Sequence, residues 1–381
     1  MKYTKIKAIN EYVSESINPM KSPDTVFEMY SVPIFDTGHP EYLRGDEIAS
    51  NKVVVKKNDV LLCKINPRIN RVWVVADESE HINIASSEWI VVRNKSYNPH
   101  FLAWYFRSPR FKQLMVSEVT GIGGSLTRAQ PKAVAEYPVP VLARAEQDKI
   151  TIVLNKIASL IEARKQELRR LDELIKARFV EMFGDLADPA CKWEKCRLVD
   201  ACSNSDDIKC GPFGTQLGKD EYTEEGVSVW EIPQINSEFK TLPTHFVTEE
   251  KAAALNAYSI IPGDIAMSRK GNVGRCAVFP ATFENGIIHS DVLRIRLDKA
   301  KVLPEFMMRQ LHYSGDIQHQ IELVSSGAIM AGINVTKLKQ IYVYLPPIDL
   351  QGKFVEFIAQ VDKSKCDASN ITSATQYQLA S

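Results

Sequence analysis

Four cysteines that lie close together in the middle of the chain are the first residues whose type could support chemistry. They are Cys191, Cys196, Cys202 and Cys210, separated by four, five and seven residues. Zinc sites use shorter C-x2–4-C spacings, so this series does not fit a metal site. The seven cysteines are odd in number and irregularly spaced, which is typical of free thiols in a reducing cytoplasm. We therefore expect no metal ion and a cytoplasmic location.

Motifs for catalysis and nucleotide binding are missing as well. Gly121-Ile-Gly-Gly124 is a glycine cluster without the spacing of a phosphate-binding loop. Ile65-Asn-Pro-Arg68 shares only its Asn-Pro pair with the N-P-P-Y motif of amino-methyltransferases. His312 and His319 are seven residues apart on a predicted helix, as expected of a solvated face rather than of a ligand pair. The sequence therefore favours a binding protein over an enzyme.

Length and composition limit the possible classes of protein. The 381 residues suffice for two or three domains, and the 47 basic residues balance the 47 acidic residues. A formal net charge of zero argues against nonspecific coating of nucleic acid, although local basic patches could still bind DNA. There is no apolar run of about 18 residues and no signal-peptide core, so we expect no membrane association.

The longest predicted element is a helix from Glu146 to Phe183. It contains no proline or glycine, and its apolar residues recur at helical spacing. As one helix it would be about 57 Å long. Charges of both signs cover the opposite face, which is typical of a coiled coil, and Gly184 supplies a stop. The residues expected to pair with a second helix are Ile150, Leu154, Ile157, Ile161, Leu168, Leu171 and Ile175.

An internal repeat with a period of roughly 205 residues organises the rest of the chain. Lys57–Lys64 resembles Pro262–Arg269, because each has a turn with an aspartate, a short strand and a basic residue. Asn83–Arg93 resembles Gly286–Arg296, and both lead to a helix that starts with proline. The chain therefore contains two copies of one domain.

Each copy closes with a glycine-bearing loop, a short helix and strand, and a proline-rich exit into a further helix. The exits are Tyr137–Leu142 and Val343–Ile348. After the second exit, Phe354, Phe357 and Val361 form an apolar stripe that could pair with the central helix. We predict an α+β fold with two mixed α/β domains in tandem, separated and followed by long helices that form an antiparallel coiled coil.

These patterns set the predicted boundaries. The first domain spans 1–142, the central helix 143–184, the second domain 185–347 and a shortened C-terminal helix 348–366. Residues 367–381 are rich in serine, threonine and asparagine and lose the heptad pattern, so we expect a disordered tail.

Several segments together carry a family resemblance. Lys209–Leu217, KCGPFGTQL, is similar to a G-P-F-G-S domain opening, and the turn and basic loop at Gly263–Arg275 also fit. So do the Pro-Pro-x-x-x-Gln exit and the Leu171–Asp185 end of the central helix. Taken in order and in duplicate, these features resemble the specificity subunit of type I restriction–modification systems. The first copy departs from the pattern, with Asn18-Pro-Met-Lys21 in place of G-P-F-G.

The resemblance implies two target-recognition domains, each of which reads one half of a bipartite, asymmetric sequence in double-stranded DNA. It implies that the helices set the spacer and dock modification (methyltransferase) subunits, with which restriction (endonuclease and translocase) subunits assemble. S-adenosylmethionine, ATP and Mg would be used by those partners, whereas this chain would be non-catalytic and bind no cofactor. The shortened C-terminal helix is also compatible with a homo-oligomer, in which a second copy of the chain compensates for it.

Two other functions remain open at this point. The chain could be the recognition fragment of a DNA methyltransferase or nuclease, which a catalytic motif would reveal. It could also be a coiled-coil interaction scaffold, which would not retain DNA at moderate salt.

Candidate DNA contacts follow from chemistry, because phosphates attract Lys and Arg whereas base edges need hydrogen-bonding side chains on loops. In the first copy the candidates are Lys64, Asn66, Arg68, Arg71, Ser125, Thr127 and Arg128. In the second copy they are Thr215, Gln216, Gln234, Asn236, Arg269, Lys270, Asn272, Arg275, Asn334 and Lys337.

Overall fold

A computed structural model describes residues 2–76, 78–117, 119–120, 127–188, 190–325 and 332–380, with the side chains of 119–120 and 367–380 excepted. The chain divides into two compact units. Unit one comprises the residues up to Lys165 together with the end of the last helix from Ser369. Unit two comprises Gln166–Ala368, so the division falls within the central helix.

Unit one is built mainly from short strands. Its strands are β1 (Tyr3–Lys5), β2 (Ser16–Ile17), β3 (Val26–Tyr30), β4 (Glu41–Arg44), β5 (Lys52–Val54), β6 (Val60–Cys63), β7 (Val72–Val74), β8 (Ile82–Ala85), β9 (Trp89–Val92), β10 (Val119–Thr120), β11 (Arg128–Ala129) and β12 (Pro138–Pro140). Its helices are α1 (Ile6–Ile9), α2 (Pro99–Arg107), α3 (Pro109–Ser117), α4 (Pro131–Val134) and the first part of α5 (Arg144–Phe183).

Two sheets form the body of unit one. One has the order β2-β5-β8-β3-β4, with β3 and β8 parallel, and the other has the order β7-β6-β9. Strand β6 is buried on both faces: Leu62 packs with Phe101 and Phe106 of α2, whereas Leu61 packs with Trp73 and Trp89. A strand covered on both sides reads as a continuous apolar run, as Val-Leu-Leu-Cys does here.

Unit two contains the second set of strands. They are β13 (Glu194–Arg197), β14 (Ile208–Cys210), β15 (Val227–Trp230), β16 (His245–Val247), β17 (Ser259–Ile260), β18 (Ile265–Ser268), β19 (Cys276–Val278), β20 (Gly286–Ile288), β21 (Val292–Ile295) and β22 (Tyr342–Leu345). Its helices are the second part of α5, α6 (Ile232–Asn236), α7 (Glu249–Ala254), α8 (Pro304–Tyr313), α9 (Gly315–Ser325), α10 (Val335–Lys339) and most of α11 (Ile348–Ala380).

The sheets of unit two repeat those of unit one, which confirms the predicted tandem fold. Strand β18 lies between β19 and β21, as β6 lies between β7 and β9. Strands β15 and β20 are parallel, as are β3 and β8, and β16 and β17 complete that sheet. Over the described residues the pairing of β14 differs from that of β2: β14 pairs with β21, whereas β2 pairs with β5.

A buried glutamine anchors each long helix to its own unit. The Asn98 N–H donates to Gln147 Oε1 at 2.8 Å, and the Leu303 N–H donates to Gln351 Oε1 at 2.9 Å. Each glutamine amide also donates to a carbonyl of the preceding exit, at 2.9 and 2.7 Å. These bonds explain why a glutamine follows the proline-rich exit in both copies.

The two long helices run antiparallel within unit two. The Phe183 and Phe354 ring centroids are 5.4 Å apart, and an ion pair of 2.7 Å joins Asp172 to Lys365. Later residues of α5 therefore face earlier residues of α11. The predicted pairing residues Leu171, Ile175, Phe354, Phe357 and Val361 all lie in this core.

The other predicted pairing residues belong to α5 upstream of that core. Ile150 packs against the core of unit one, and Leu154 lines an apolar groove beside Trp104 and Tyr105. Ile157, Ile161 and Leu168 are half-buried.

The end of the last helix corrects one prediction. Helix α11 runs to Ala380, rather than ending at 366 before a disordered tail. No proline or glycine follows Gly352, and serine, threonine and asparagine each cost a helix only a fraction of a kcal/mol relative to alanine, roughly 0.5 kcal/mol. Loss of the heptad pattern was therefore a poor indicator of where the helix ends.

Candidate nucleic-acid interface

Basic loop one, residues 64–71, connects β6 to β7 and is joined to a second segment of unit one. Ile65 forms an isolated antiparallel bridge with Arg128. The Asn66 N–H donates to the Thr127 carbonyl, and the Ala129 N–H donates to the Lys64 carbonyl, both at 2.8 Å. The fold thus brings Arg128 beside the loop, although the two are more than fifty residues apart in the sequence.

Basic loop two, residues 269–275, connects β18 to β19 and is joined in the same way. Lys270 forms an isolated antiparallel bridge with Gly332. The Ile333 N–H donates to the Arg269 carbonyl at 3.2 Å. In both units, backbone hydrogen bonds therefore join the basic loop to a second segment, residues 127–129 in unit one and 332–333 in unit two.

Left-handed backbone turns shape both loops. Asn66 and Asn70 have φ of 52° and 54° in loop one, and Gly271 and Gly274 have φ of 69° and 86° in loop two. Asparagine and glycine are the residues that adopt this conformation most easily. The polar composition of the loops therefore reflects their turns as well as any ligand.

Several cations in or beside the loops have acidic partners. Arg128 lies 3.3 Å from Glu88, Lys270 lies 2.8 Å from Asp291, and the third pair, Arg275–Glu238, is 3.2 Å long. A phosphate would have to replace these carboxylates. Arg68, by contrast, is exposed on loop one.

The G-P-F-G segment lies beside basic loop two. A Cβ atom on Gly211 would approach the His289 carbonyl oxygen to 2.2 Å, so this position requires glycine. The Arg269 guanidinium carbon is 5.3 Å from the ring centroid of Phe213, whose side chain is 53% exposed. An aromatic face and a guanidinium group are thus presented together at the surface.

Comparison with known protein families gives a match for the second half of the chain. Residues 192–374 match the family model of the type I restriction modification DNA specificity domain. The second half of the chain belongs to that family. Basic loop two and the G-P-F-G segment both lie within this specificity domain.

Solved structures of type I systems share the fold over the whole chain. One chain, from a type I R-M system described by its complex assembly and conformational transition, is 19% identical, with a TM-score of 0.58 over 99% of this chain and 94% of that chain. The S subunit of a type I restriction–modification system from M. genitalium is 13% identical, with a TM-score of 0.56 over 99% of this chain and 93% of that chain. The match to the specificity domain indicates sequence recognition of DNA of the type I kind. The solved structures show that the whole chain shares their fold.

Three thiols and one imidazole near the loops are held in their neutral forms by burial. Burial raises the pKa of Cys63, at the end of β6, and of Cys210, whose sulfur lies 3.7 Å from the Arg269 guanidinium. Burial also raises the pKa of Cys276 to about 12 and lowers that of its neighbour His312 to about 4. None of these thiols is therefore poised as a nucleophile.

Two predicted contacts are corrected by burial. Gln234 is 3% exposed, and its side-chain amide both accepts from the Glu231 N–H and donates to the Leu242 carbonyl. Its amide groups stabilise the turn after α6 and are not exposed at the surface. Thr127 is 8% exposed, so only its backbone takes part in the loop.

The other predicted contacts differ in their exposure and hydrogen bonding. Thr215, Gln216, Asn236 and Asn272 are exposed, and Gln216 accepts a hydrogen bond from the Tyr258 hydroxyl at 2.8 Å. Asn334 caps α10, and Lys337 donates to the Val324 carbonyl. Lys64 and Arg71 are half-buried, and Ser125 lies outside the described residues.

Sequence reasoning missed the residues that contact the loop cations. Glu88 and Asp291 occupy equivalent positions in the two aligned segments Asn83–Arg93 and Gly286–Arg296. An acidic residue at the same place in both copies was the available signal. Over the described part of the chain, no group of His, Cys, Asp and Glu is placed to hold a metal ion, and no helix is long and apolar enough to cross a membrane.

Proposed function

We propose that each unit reads one half of a bipartite, asymmetric sequence in double-stranded DNA, with its basic loop at the contact. The observation that carries this proposal is the duplicated geometry: a basic loop, a bridge to a second segment and a nearby acid recur in both units. Lysine and arginine at the loops would hold phosphates, and the exposed Thr215, Gln216 and Asn272 would meet base edges.

The asymmetry of the target would follow from the different loops. Loop one contains Asn66, Arg68 and Arg71, whereas loop two contains Lys270, Asn272 and Arg275. Two loops with different donors at different positions would select different base pairs.

The helices would hold the two readers apart. Because α5 contributes residues to both units, its length would set the number of base pairs between the half-sites. We propose that the helices also dock modification subunits, which use S-adenosylmethionine, and that restriction subunits using ATP and Mg join the complex in the cytoplasm. This chain would contribute recognition and no catalysis. Since α11 reaches Ala380, one copy of the chain could supply both helices.

A map of methylated bases tests the proposal. The chain would be co-expressed with its adenine methyltransferase subunit in a host free of DNA methylation, and the modified positions would be sequenced. We expect an asymmetric bipartite motif. A palindromic motif would show instead that two copies each contribute one reading unit, and absence of methylation despite a stable complex would contradict the proposal.

A further inference from the structure

Glu88 lies in the β8–β9 turn and Asp291 in the β20–β21 turn, each beside the first residue of a basic loop and in matching backbone environments. The Lys64 N–H donates to the Glu88 carbonyl at 3.0 Å, and the Arg269 N–H donates to the Asp291 carbonyl at 2.9 Å. In each unit the acid is therefore fixed to the first residue of the basic loop.

The turns that carry these acids are also alike. The Glu88 N–H donates to Ser86 Oγ, and the Asp291 N–H donates to His289 Nδ1, both at 3.2 Å. In both turns the following residue closes the turn by donating to the carbonyl of Ser86 or His289, at 3.1 and 2.9 Å. Both carboxylate side chains are 28% exposed, so solvent or a ligand can reach them.

In each unit, the cation that contacts the acid belongs to the equivalent backbone bridge. The two units differ in which of the two bridged residues is the cation. In unit one the bridge pairs Ile65 with Arg128, and Arg128 contacts Glu88. In unit two it pairs Lys270 with Gly332, and Lys270 contacts Asp291. Both cations are 45% exposed. The pair of charges is thus the same in both units, although the residue that supplies the positive charge is not.

A structural salt bridge would explain this pairing poorly, because a half-exposed ion pair contributes only about 0–1 kcal/mol to stability. An acid is also unfavourable at a surface meant for phosphates, since it repels them. Its presence in both units is explained if the carboxylate itself meets the DNA.

We propose that Glu88 and Asp291 are specificity-determining residues that accept a hydrogen bond from the exocyclic amino group of a cytosine or adenine in the major groove. This inference rests on the proposed reading of one half-site by each unit. On the correct sequence, Arg128 or Lys270 moves to a phosphate, and the amino group replaces it at the carboxylate.

On any other sequence the carboxylate loses its cation and gains no donor. An unpaired charge near phosphates is unfavourable, so the acid weakens binding to wrong sequences more than it strengthens binding to the right one. The ion pair in free protein also keeps the loop cations from holding phosphates indiscriminately.

The test measures how tightly the chain, assembled with its modification subunits, binds two DNA duplexes. One duplex contains the motif found in the methylation map, and the other lacks it. Glu88→Ala and Asp291→Ala should each bind the second duplex more tightly and reduce the ratio of the two affinities about ten-fold. In the methylation map, Glu88→Ala should relax only the first half-site and Asp291→Ala only the second. Each variant is thus the control for the other.

Glu88→Gln and Asp291→Asn keep the size of the side chain and guard against misfolding. Their amide oxygen can still accept from the amino group but carries no charge, so we expect tighter binding to the second duplex and a smaller loss of selectivity than from alanine. Glu238→Ala is a matched control, because it removes the acidic partner of Arg275 on basic loop two but is not one of the two repeated acids. It should leave both half-sites unchanged. If the wild-type complex showed no preference for its motif, the proposed function itself would fail. If it did show that preference and the variants kept the full ratio and both half-sites, only the role of the acids would be overturned.

Discussion

The guanidinium group of Arg296 donates two hydrogen bonds to the carboxylate of Asp264, at 2.8 and 2.7 Å. Arg93 contacts Asp59 in the same way, at 2.7 and 2.6 Å. The aspartates are only 2% and 1% exposed. The first pair joins the end of β21 to the turn before β18, and the second joins the end of β9 to the turn before β6. Strands β18 and β6 each lead into a basic loop. Hydrogen bonding to Asp264 accordingly raises the pKa of Arg296.

Asp264→Ala should therefore destabilise unit two. It would leave a partly buried guanidinium group without its counter-charge, which typically costs about 3 kcal/mol. Denaturant unfolding of the full chain, followed by circular dichroism, measures the change in the free energy of unfolding. Asp59→Ala should have a similar effect on unit one, whereas Ala at the exposed Asp220 should change stability by less than about 0.5 kcal/mol. Equal stability of the Asp264 variant and wild type would contradict this role.

The repeat made this part of the fold predictable. Asp59 and Asp264 follow turns with positive φ, at Asn58 and Gly263, and residues of those types mark such turns in a sequence. The long α5 was predictable because helical periodicity persists over many turns and Gly184, with φ of 77°, ends it.

Contacts between distant segments were not predictable in this way. The pairing of Arg128 with Glu88 depends on a bridge between two loops, and strands of two to five residues carry little periodicity of their own. Gln234 is polar and close to turn residues, and only the packing around α6 reveals that it is buried. Burial is a property of the assembled fold, so a polar residue gives no local sign of it.

Arg269→Ala combined with Lys270→Ala should weaken DNA binding by the assembled complex. Both residues lie on basic loop two, and each phosphate contact that is lost should reduce the slope of log K against log salt by about one. Fluorescence anisotropy at several salt concentrations measures both quantities. The double variant Lys299→Ala, Lys301→Ala removes the same charge from another loop of unit two and should leave the slope unchanged. Unchanged affinity and slope in a folded Arg269, Lys270 variant would remove these residues from the interface.

Insertion of four residues after Ala163 should change the spacer but not the half-sites. Four helical residues add about 6 Å to α5, which corresponds to one or two base pairs at about 3.4 Å each. Because the basic loops are untouched, the bases they select should stay the same. The methylation map of the variant complex measures the outcome. In the control, the same four residues replace four existing residues of α5, so the length of the helix does not change. A changed half-site with the original spacer would contradict the proposed role of α5.

His312 should make the stability of unit two depend on pH. Its Nε2 accepts the backbone N–H of Cys276 at 3.3 Å, and burial, with Arg275 and Arg309 nearby, lowers its pKa to about 4. In the unfolded chain the pKa of His312 is about 6.5. Between about pH 6.5 and pH 4 the unfolded chain therefore binds a proton at His312, whereas the folded protein does not. This contribution is therefore fully present above about pH 6.5 and is lost as the pH falls toward 4, by about 3 kcal/mol in total.

Comparison with His312→Gln isolates that contribution from the carboxylates that also titrate in this range. A glutamine oxygen can accept the same N–H but does not ionise. The free energy of unfolding, measured from pH 7 to pH 4, should fall more steeply for wild type than for the variant, because only wild type gains a proton at this position on unfolding. Parallel curves would mean that folding does not lower the pKa of His312, and would contradict this prediction.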